Sequence, residues 1–281
     1  MKLRIITDSA ADLLPDIKSR VTVIPMTVRF GKCEYLDGVT LTHKEFYEHL
    51  IESDELPTTS QIPPQTFADV FESVTASGET AIVITVSSKL SGTYQSACIA
   101  ASDFPGKVHI LDSLSLAIGQ GILVEYALRL ADSGMDAEGI IDELNRARND
   151  ICLVAMLDTL EYLKRGGRIS KTAAFAGGVL SIKPVIGIVD GEVKILGKAR
   201  GSRQANNLLI SEIEKGGIDF SKPVLLGYTG ISDTLLCKYI EDSSSFWAGK
   251  IDSPEYTTIG SAIGTHAGPG AIAVAFFREK K

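Results

Sequence analysis

Residues 81–86 read Ala-Ile-Val-Ile-Thr-Val, a β-rich run with no alternation of polar and apolar positions. A strand of this kind is buried on both faces, which is the condition of a strand inside a helix-covered parallel sheet. Parallel neighbours need a crossover of a dozen or more residues, so helices must follow the strands. The first half supplies that alternation. Strands are expected over 3–7, 22–30, 81–86 and 108–111. Helices are expected near 12–19, 42–52, 64–76, 91–102, 114–131 and 136–149. Thr42-His43-Lys44-Glu45 has the spacing of a capping box. Phe67, Val70, Phe71 and Val74 share one helical face. The order points to βαβ units and a doubly wound, mostly parallel sheet.

The second half has a different texture. A strand is expected over 152–157, then helices over 158–164 and 171–180. Asp190-Gly191 between strands 184–189 and 192–196 is a two-residue hairpin signal. A helix over 203–215, a strand over 224–228, a helix over 233–241 and a strand over 271–277 complete it. A hairpin combined with crossovers predicts a mixed sheet with flanking helices. The chain therefore reads as α/β in two domains, 1–150 and 151–281. The longest stretch without Asp, Glu, Lys or Arg, 256–277, is long enough to cross a bilayer on count alone. Gly260, Gly264, Gly268, Pro269 and Gly270 break it, so it reads as a strand or short helix, a Gly-rich loop and a final strand.

The charge balance is 28 basic against 35 acidic residues, a net of −7. Nucleic acid and anionic membranes both want basic faces, so neither is the expected partner. The N-terminus has no apolar signal-peptide core, and no integral membrane segment is expected. Cys33, Cys98, Cys152 and Cys237 form no CxxC and no Cys–His cluster, as for reduced, mostly buried thiols in a cytoplasm.

No G-x-S-x-G, H-E-x-x-H or G-x-G-x-x-G occurs, and no metal cluster stands out among four histidines. Gly191 to Gly197-Lys198 misses the phosphate-loop spacing by one residue, and Ala199 replaces its hydroxyl. Three loops carry the chemistry that remains. Pro57-Thr58-Thr59-Ser60-Gln61-Ile62-Pro63-Pro64 places three hydroxyls between restraining prolines, either as ligand contacts or as caps of the next helix. Ser87-Ser88-Lys89-Leu90-Ser91-Gly92 follows the apolar strand and opens a helix, so Ser91 is an N-cap or an anion contact. The stretch 260–270 sets His266 among four glycines, where backbone approaches a ligand closely. Hydroxyls, N–H groups and one imidazole suit a carboxylate better than a polyphosphate.

Asp8-Ser9, Thr58-Thr59-Ser60-Gln61, Leu90-Ser91-Gly92-Thr93-Tyr94-Gln95-Ser96, Asp112-Ser113, Leu160 to Ile169 with its Arg165-Gly166-Gly167-Arg168 core, Lys183-Pro184-Val185 and Gly264-Thr265-His266-Ala267-Gly268-Pro269-Gly270 resemble, in order and spacing, the DegV family of bacterial fatty-acid-binding proteins. The resemblance covers essentially the whole chain. It implies two α/β domains and a long-chain fatty acid such as palmitate in an apolar tunnel, with no metal or other cofactor. It places the carboxylate on Thr59 and Ser91, with His266 near the head group. It also implies a lipid-binding protein, not an enzyme by itself. Some members present the carboxylate to a separate ATP-binding kinase related to dihydroxyacetone kinases, which forms the acyl phosphate. The family often reads Thr-Ser-Gln-Pro-Ser-Pro where this chain has Thr59-Ser60-Gln61-Ile62-Pro63-Pro64, which predicts a wider or more apolar mouth. The residues by themselves leave a rival, a hydrolase or acyl transferase with Ser91 as nucleophile and His266 as base. Lys194, Lys198, Arg200 and Arg203 form a local basic cluster. Arg200 and Arg203 are read as partner docking, or the cluster as a lysine-guarded edge strand.

Overall fold

The computed structural model describes residues 2–53, 55–170 and 182–280. The chain begins with β1 (Lys2–Asp8), α1 (Pro15–Lys18), β2 (Thr22–Ile24), β3 (Thr27–Phe30), β4 (Cys33–Leu36), α2 (His43–Glu52) and β5 (Thr58–Ser60). It continues with α3 (Pro64–Ala76), β6 (Glu79–Thr85), α4 (Thr93–Ala101), β7 (Val108–Asp112), α5 (Ala117–Asp132) and α6 (Ala137–Ala147). Four strands form a parallel sheet in the order β2-β1-β6-β7. All seven residues of β6 are buried, as its composition requires. Thr42 caps α2 in a full capping box with Glu45.

The single strand expected over 22–30 is broken. Pro25 has no N–H to give a ladder. The chain turns there, with the Met26 N–H donating to Ser9 Oγ at 3.0 Å. β2 stays in the parallel sheet, while β3 joins an antiparallel sheet of order β4-β3-β5. The loop expected around Thr59 is thus a short strand, paired through Val28. Its polar, three-residue length left no period to read.

The second half runs β8 (Ile151–Met156), α7 (Glu161–Arg165), β9 (Ile182–Val189), β10 (Glu192–Arg200), α8 (Gly201–Gly216), β11 (Leu225–Tyr228), α9 (Thr234–Asp242), α10 (Ser244–Trp247), β12 (Tyr256–Thr258), α11 (Ser261–Ala267) and β13 (Ile272–Phe277). The helix expected over 171–180 lies outside the described residues. Six strands form a mixed sheet of order β10-β9-β8-β13-β11-β12. Asp190 and Gly191 have φ of 52° and 79°, the two left-handed positions of a type I′ hairpin. The Gly-rich loop expected around His266 is instead helix α11. Gly264 allows it to lie flush on α2, where a Cβ would stand 2.6 Å from Tyr47 Oη. Packing, not local propensity, makes this helix.

Helix α5 lies between the two sheets, with every residue of its first half, Ala117 to Val124, buried. One core cluster joins Ile82, Leu111, Ile118 and Ile122 of the first half to Leu153, Ile188, Ala273 and Phe277 of the second. No helix among the described residues is long and apolar enough to cross a membrane. The four cysteines are unpaired. They are not mostly buried, since Cys33 and Cys237 are exposed and Cys98 and Cys152 half-buried. Cys152 packs against the core of the six-stranded sheet.

Candidate functional site

A narrow apolar cavity opens between the parallel sheet and the inner face of the six-stranded one. Its floor follows strand register. Ile186, Ala155 and Ala273 stand side by side on β9, β8 and β13, and Ile188 and Leu153 form the next row. Two alanines beside larger neighbours make a trough. Leu116, Ala117, Ile259 and Ile263 close it from the other side. The polar lining includes Thr59, Gln61, Ser91, Arg168 and His266.

Thr58 and Ser60 of β5 face solvent while Thr59 is half-buried, the alternation of a strand. Thr59 Oγ1 lies 2.9 Å from His266 Nε2. His266 Nδ1 is buried and has no partner among the described residues. It lies against Gly166, where a Cβ would stand only 2.2 Å away. An unpaired buried N–H costs more than an unpaired lone pair, so the proton belongs on Nε2, donated to Thr59. The Thr59 hydroxyl hydrogen is then free for an acceptor in the cavity. Burial, and secondarily the nearby Arg168, push the His266 pKa down to about 4, so the ring is neutral at physiological pH.

Ser91 precedes the N-cap of α4, which is Gly92. Its Oγ lies 2.9 Å from Thr93 Oγ1 and accepts the Thr93 N–H at 3.3 Å. The two hydroxyl segments interlock. A Cβ on Gly92 would lie 2.0 Å from Gln61 Oε1, and the Gln61 amide donates to Ser96 at 3.1 Å. Ser87 donates to the carbonyl of Gly191 at 2.8 Å, fastening the Ser91 loop to the β9–β10 turn. Ile62 does not widen the mouth. It is 2% exposed, packed with Phe67 and Phe71 beneath the parallel sheet.

Arg168 is the residue that sequence reasoning missed. Its Nε–H donates to the Leu90 carbonyl at 3.1 Å and its other arm to the Gly166 carbonyl at 2.7 Å. Burial lowers its pKa. The polar end is therefore not neutral, because one half-buried guanidinium faces it. The Gly166-Gly167-Arg168 motif was visible, but nothing local says which cavity it serves. Arg200 and Arg203 do not line this cavity. Arg200 ends β10, seven residues beyond the cavity residue Val193, roughly 23 Å along an extended strand. Arg203 is exposed on the first turn of α8, beside a groove that also holds Asn206 and Lys238. β10 is an edge strand, and Lys194, Lys198 and Arg200 are exposed along it. No group of three His, Cys, Asp or Glu among the described residues could hold a metal.

The model of the DegV family, described as uncharacterised proteins, matches residues 2–279. A DegV domain-containing protein of Caldanaerobacter subterraneus is 34% identical and covers 99% of both chains. The solved fatty-acid-binding DegV family protein of Thermus thermophilus superposes with a TM-score of 0.89 at 30% identity, over 99% of this chain and 100% of that one. A stearic-acid-binding protein of Eubacterium ventriosum gives 0.85 at 29% identity, over 99% and 98%. With the fold, the motif order and these similarities in agreement along the whole length, the chain belongs to the DegV family.

Proposed function

We propose that the chain binds one long-chain fatty acid in the inter-sheet cavity, with the carboxylate at the Thr59–Ser91–His266–Arg168 end. The observation that carries this is the asymmetry of the cavity: an apolar trough with its hydroxyls, imidazole and guanidinium grouped among the polar lining. Each buried CH₂ contributes about 0.8 kcal/mol, so a C16 chain grosses about 10 kcal/mol before ordering costs. The head group then needs few contacts and mainly sets orientation. Thr59, its oxygen engaged by His266, offers its hydrogen to the carboxylate. Arg168 supplies the positive charge. The solved relatives named as fatty-acid-binding proteins support the same reading. The sheets on either side of Asp150 are the cores of two domains in this reading, and the ligand lies between them.

The further step is presentation of the carboxylate to a dihydroxyacetone-kinase-like partner in the cytoplasm, with Arg200 and Arg203 as the docking contacts. A hydrolase finds less support. Ser91 bonds Thr93 and His266 bonds Thr59, and no Ser91–His266 hydrogen bond is present among the described residues. Mass spectrometry of the purified protein tests the binding reading. A species of long-chain fatty-acid mass held under native conditions and released on denaturation is expected. A chain that neither carries such a species nor takes up added palmitate rules it out.

A further inference from the structure

We infer that Asp12 and Asp37 are positioning residues for His266, acting through the first turn of α11; the inference rests on the fatty-acid reading of the site. Helix α11 has seven residues, too few to hold itself in water. Among the described residues it has no side-chain cap, and Ser261 Oγ is buried without a partner. Its leading N–H groups go instead to two buried carboxylates from the first half of the chain. Gly260 donates to Asp12 Oδ1 at 2.7 Å. Ser261 donates to Asp37 Oδ1 at 3.1 Å, and Ala262 to Asp37 Oδ2 at 3.3 Å. Tyr47 adds a third tie, its hydroxyl donating to the Ile259 carbonyl at 2.8 Å.

The origin of the two acids gives the ties their meaning. Asp37 follows β4, and its N–H donates to the Met26 carbonyl at 3.0 Å, just before β3. β3 pairs with β5, where Val28 faces Thr59. The small sheet that carries Thr59 therefore also grips the helix that carries His266. The circuit closes at the 2.9 Å Thr59–His266 contact. Asp12 lies four residues beyond Asp8, whose carboxylate accepts the Val86 N–H at 2.7 Å where β6 enters the Ser91 loop. One carboxylate thus registers His266 against the Thr59 sheet and the other against the Ser91 sheet. Buried charge is a costly way to hold a helix end, and the positive end of the helix offsets part of that cost.

The two acids differ in what they must supply. Asp37 uses both oxygens, so an amide in its place would turn an N–H toward a backbone N–H. Asp12 uses one oxygen, and its Oδ2 is buried without a partner among the described residues, so an amide can keep the Gly260 bond but leaves its own N–H groups unpaired. The test is palmitate titration calorimetry on the full chain, with ¹⁵N-histidine NMR of the ligand-free protein. Asp37→Asn is expected to keep a cooperative unfolding transition and to weaken palmitate binding about tenfold. In a His266→Ala background the same change should matter less than about twofold, because its effect runs through the imidazole. Asp12→Ala should weaken binding, and Asp12→Asn, which keeps the oxygen that accepts the Gly260 N–H, should weaken it less. The ligand-free His266 resonances should shift in Asp37→Asn. Equal losses with and without His266, or unchanged His266 resonances, overturn the proposal. If neither Asp37→Asn nor Asp12→Ala unfolds cooperatively, the acids are structural and the proposal falls. If the wild-type chain takes up no palmitate, the fatty-acid reading fails on its own, and the ligand-free spectra still decide the positioning role.

Discussion

Thr59 and His266 stand 207 positions apart in the chain, yet their side chains meet at 2.9 Å. One sits on the central position of a three-residue strand, the other near the end of a seven-residue helix. Neither element is stable alone, so the pair exists only where the small sheet, α2 and α11 are packed together. The neutral imidazole occupies the hydroxyl oxygen and leaves its hydrogen to be given away. An apolar cavity thereby gains a directed donor without a second buried charge.

Thr59→Ala and Ser91→Ala should each weaken palmitate binding by about 1–3 kcal/mol, since a buried carboxylate loses a donor. The Thr59 loss should be the less additive with His266→Ala, because those two groups are bonded to each other. Titration calorimetry on the single and double variants measures both effects. Wild-type affinity in the Thr59→Ala, Ser91→Ala double variant would show that the head group lies elsewhere.

Gly166→Ala should disturb the site while sparing the fold. Gly166 has φ of −69°, which any residue adopts. The main obstacle is the His266 ring, with Nδ1 2.2 Å and Cε1 2.8 Å from the added Cβ; the Tyr162 carbonyl oxygen, at 3.2 Å, is a lesser one. The ring must move and the Thr59 bond must lengthen. Circular dichroism should be unchanged while palmitate affinity drops. Unchanged affinity would mean that the ring has room to shift without consequence.

Two buried groups should oppose each other as pH falls. His266 titrates near 4 in the folded chain against 6.5 normally, so the folded state binds fewer protons between those values. Its contribution is intact above 6.5 and is lost toward pH 4, at most about 3 kcal/mol. Asp8 is shifted the other way, chiefly by burial, from 3.8 to about 6. The folded state then binds more protons, and stability rises as pH falls through 6. His266→Gln should remove only the first effect. Its stability relative to wild type, from urea midpoints, should therefore improve between pH 7 and pH 4. A constant difference across that range would mean that the ring titrates normally.

Arg200→Ala and Arg203→Ala should leave palmitate binding intact, because neither residue lines the cavity. In an assay with a fatty acid kinase partner, acyl-phosphate formation should fall and lose part of its salt sensitivity. Wild-type phosphorylation by both variants at every salt concentration would leave the exposed cations of β10 as guards of an edge strand.

What the sequence determined by itself is the local and periodic part. The run at 81–86 announced a doubly buried strand, Thr42 to Glu45 a helix start, and Asp190-Gly191 a hairpin, because each is encoded within a few residues. The motif order also carried the family, and Thr59, Ser91 and His266, which it singled out, line the inter-sheet cavity. Tertiary structure decided the rest. Pro25 split one expected strand between two sheets, which only the pairing of β3 with β5 reveals. α11 became a helix because Asp12, Asp37 and Tyr47 hold its first turn and Gly264 fits against α2. Arg168 reached the polar end through carbonyls of Leu90 and Gly166, a placement that no spacing encodes. Periodicity reports which face of an element is buried. The partner it is buried against is fixed by contacts between residues far apart in the chain, and those contacts form the site.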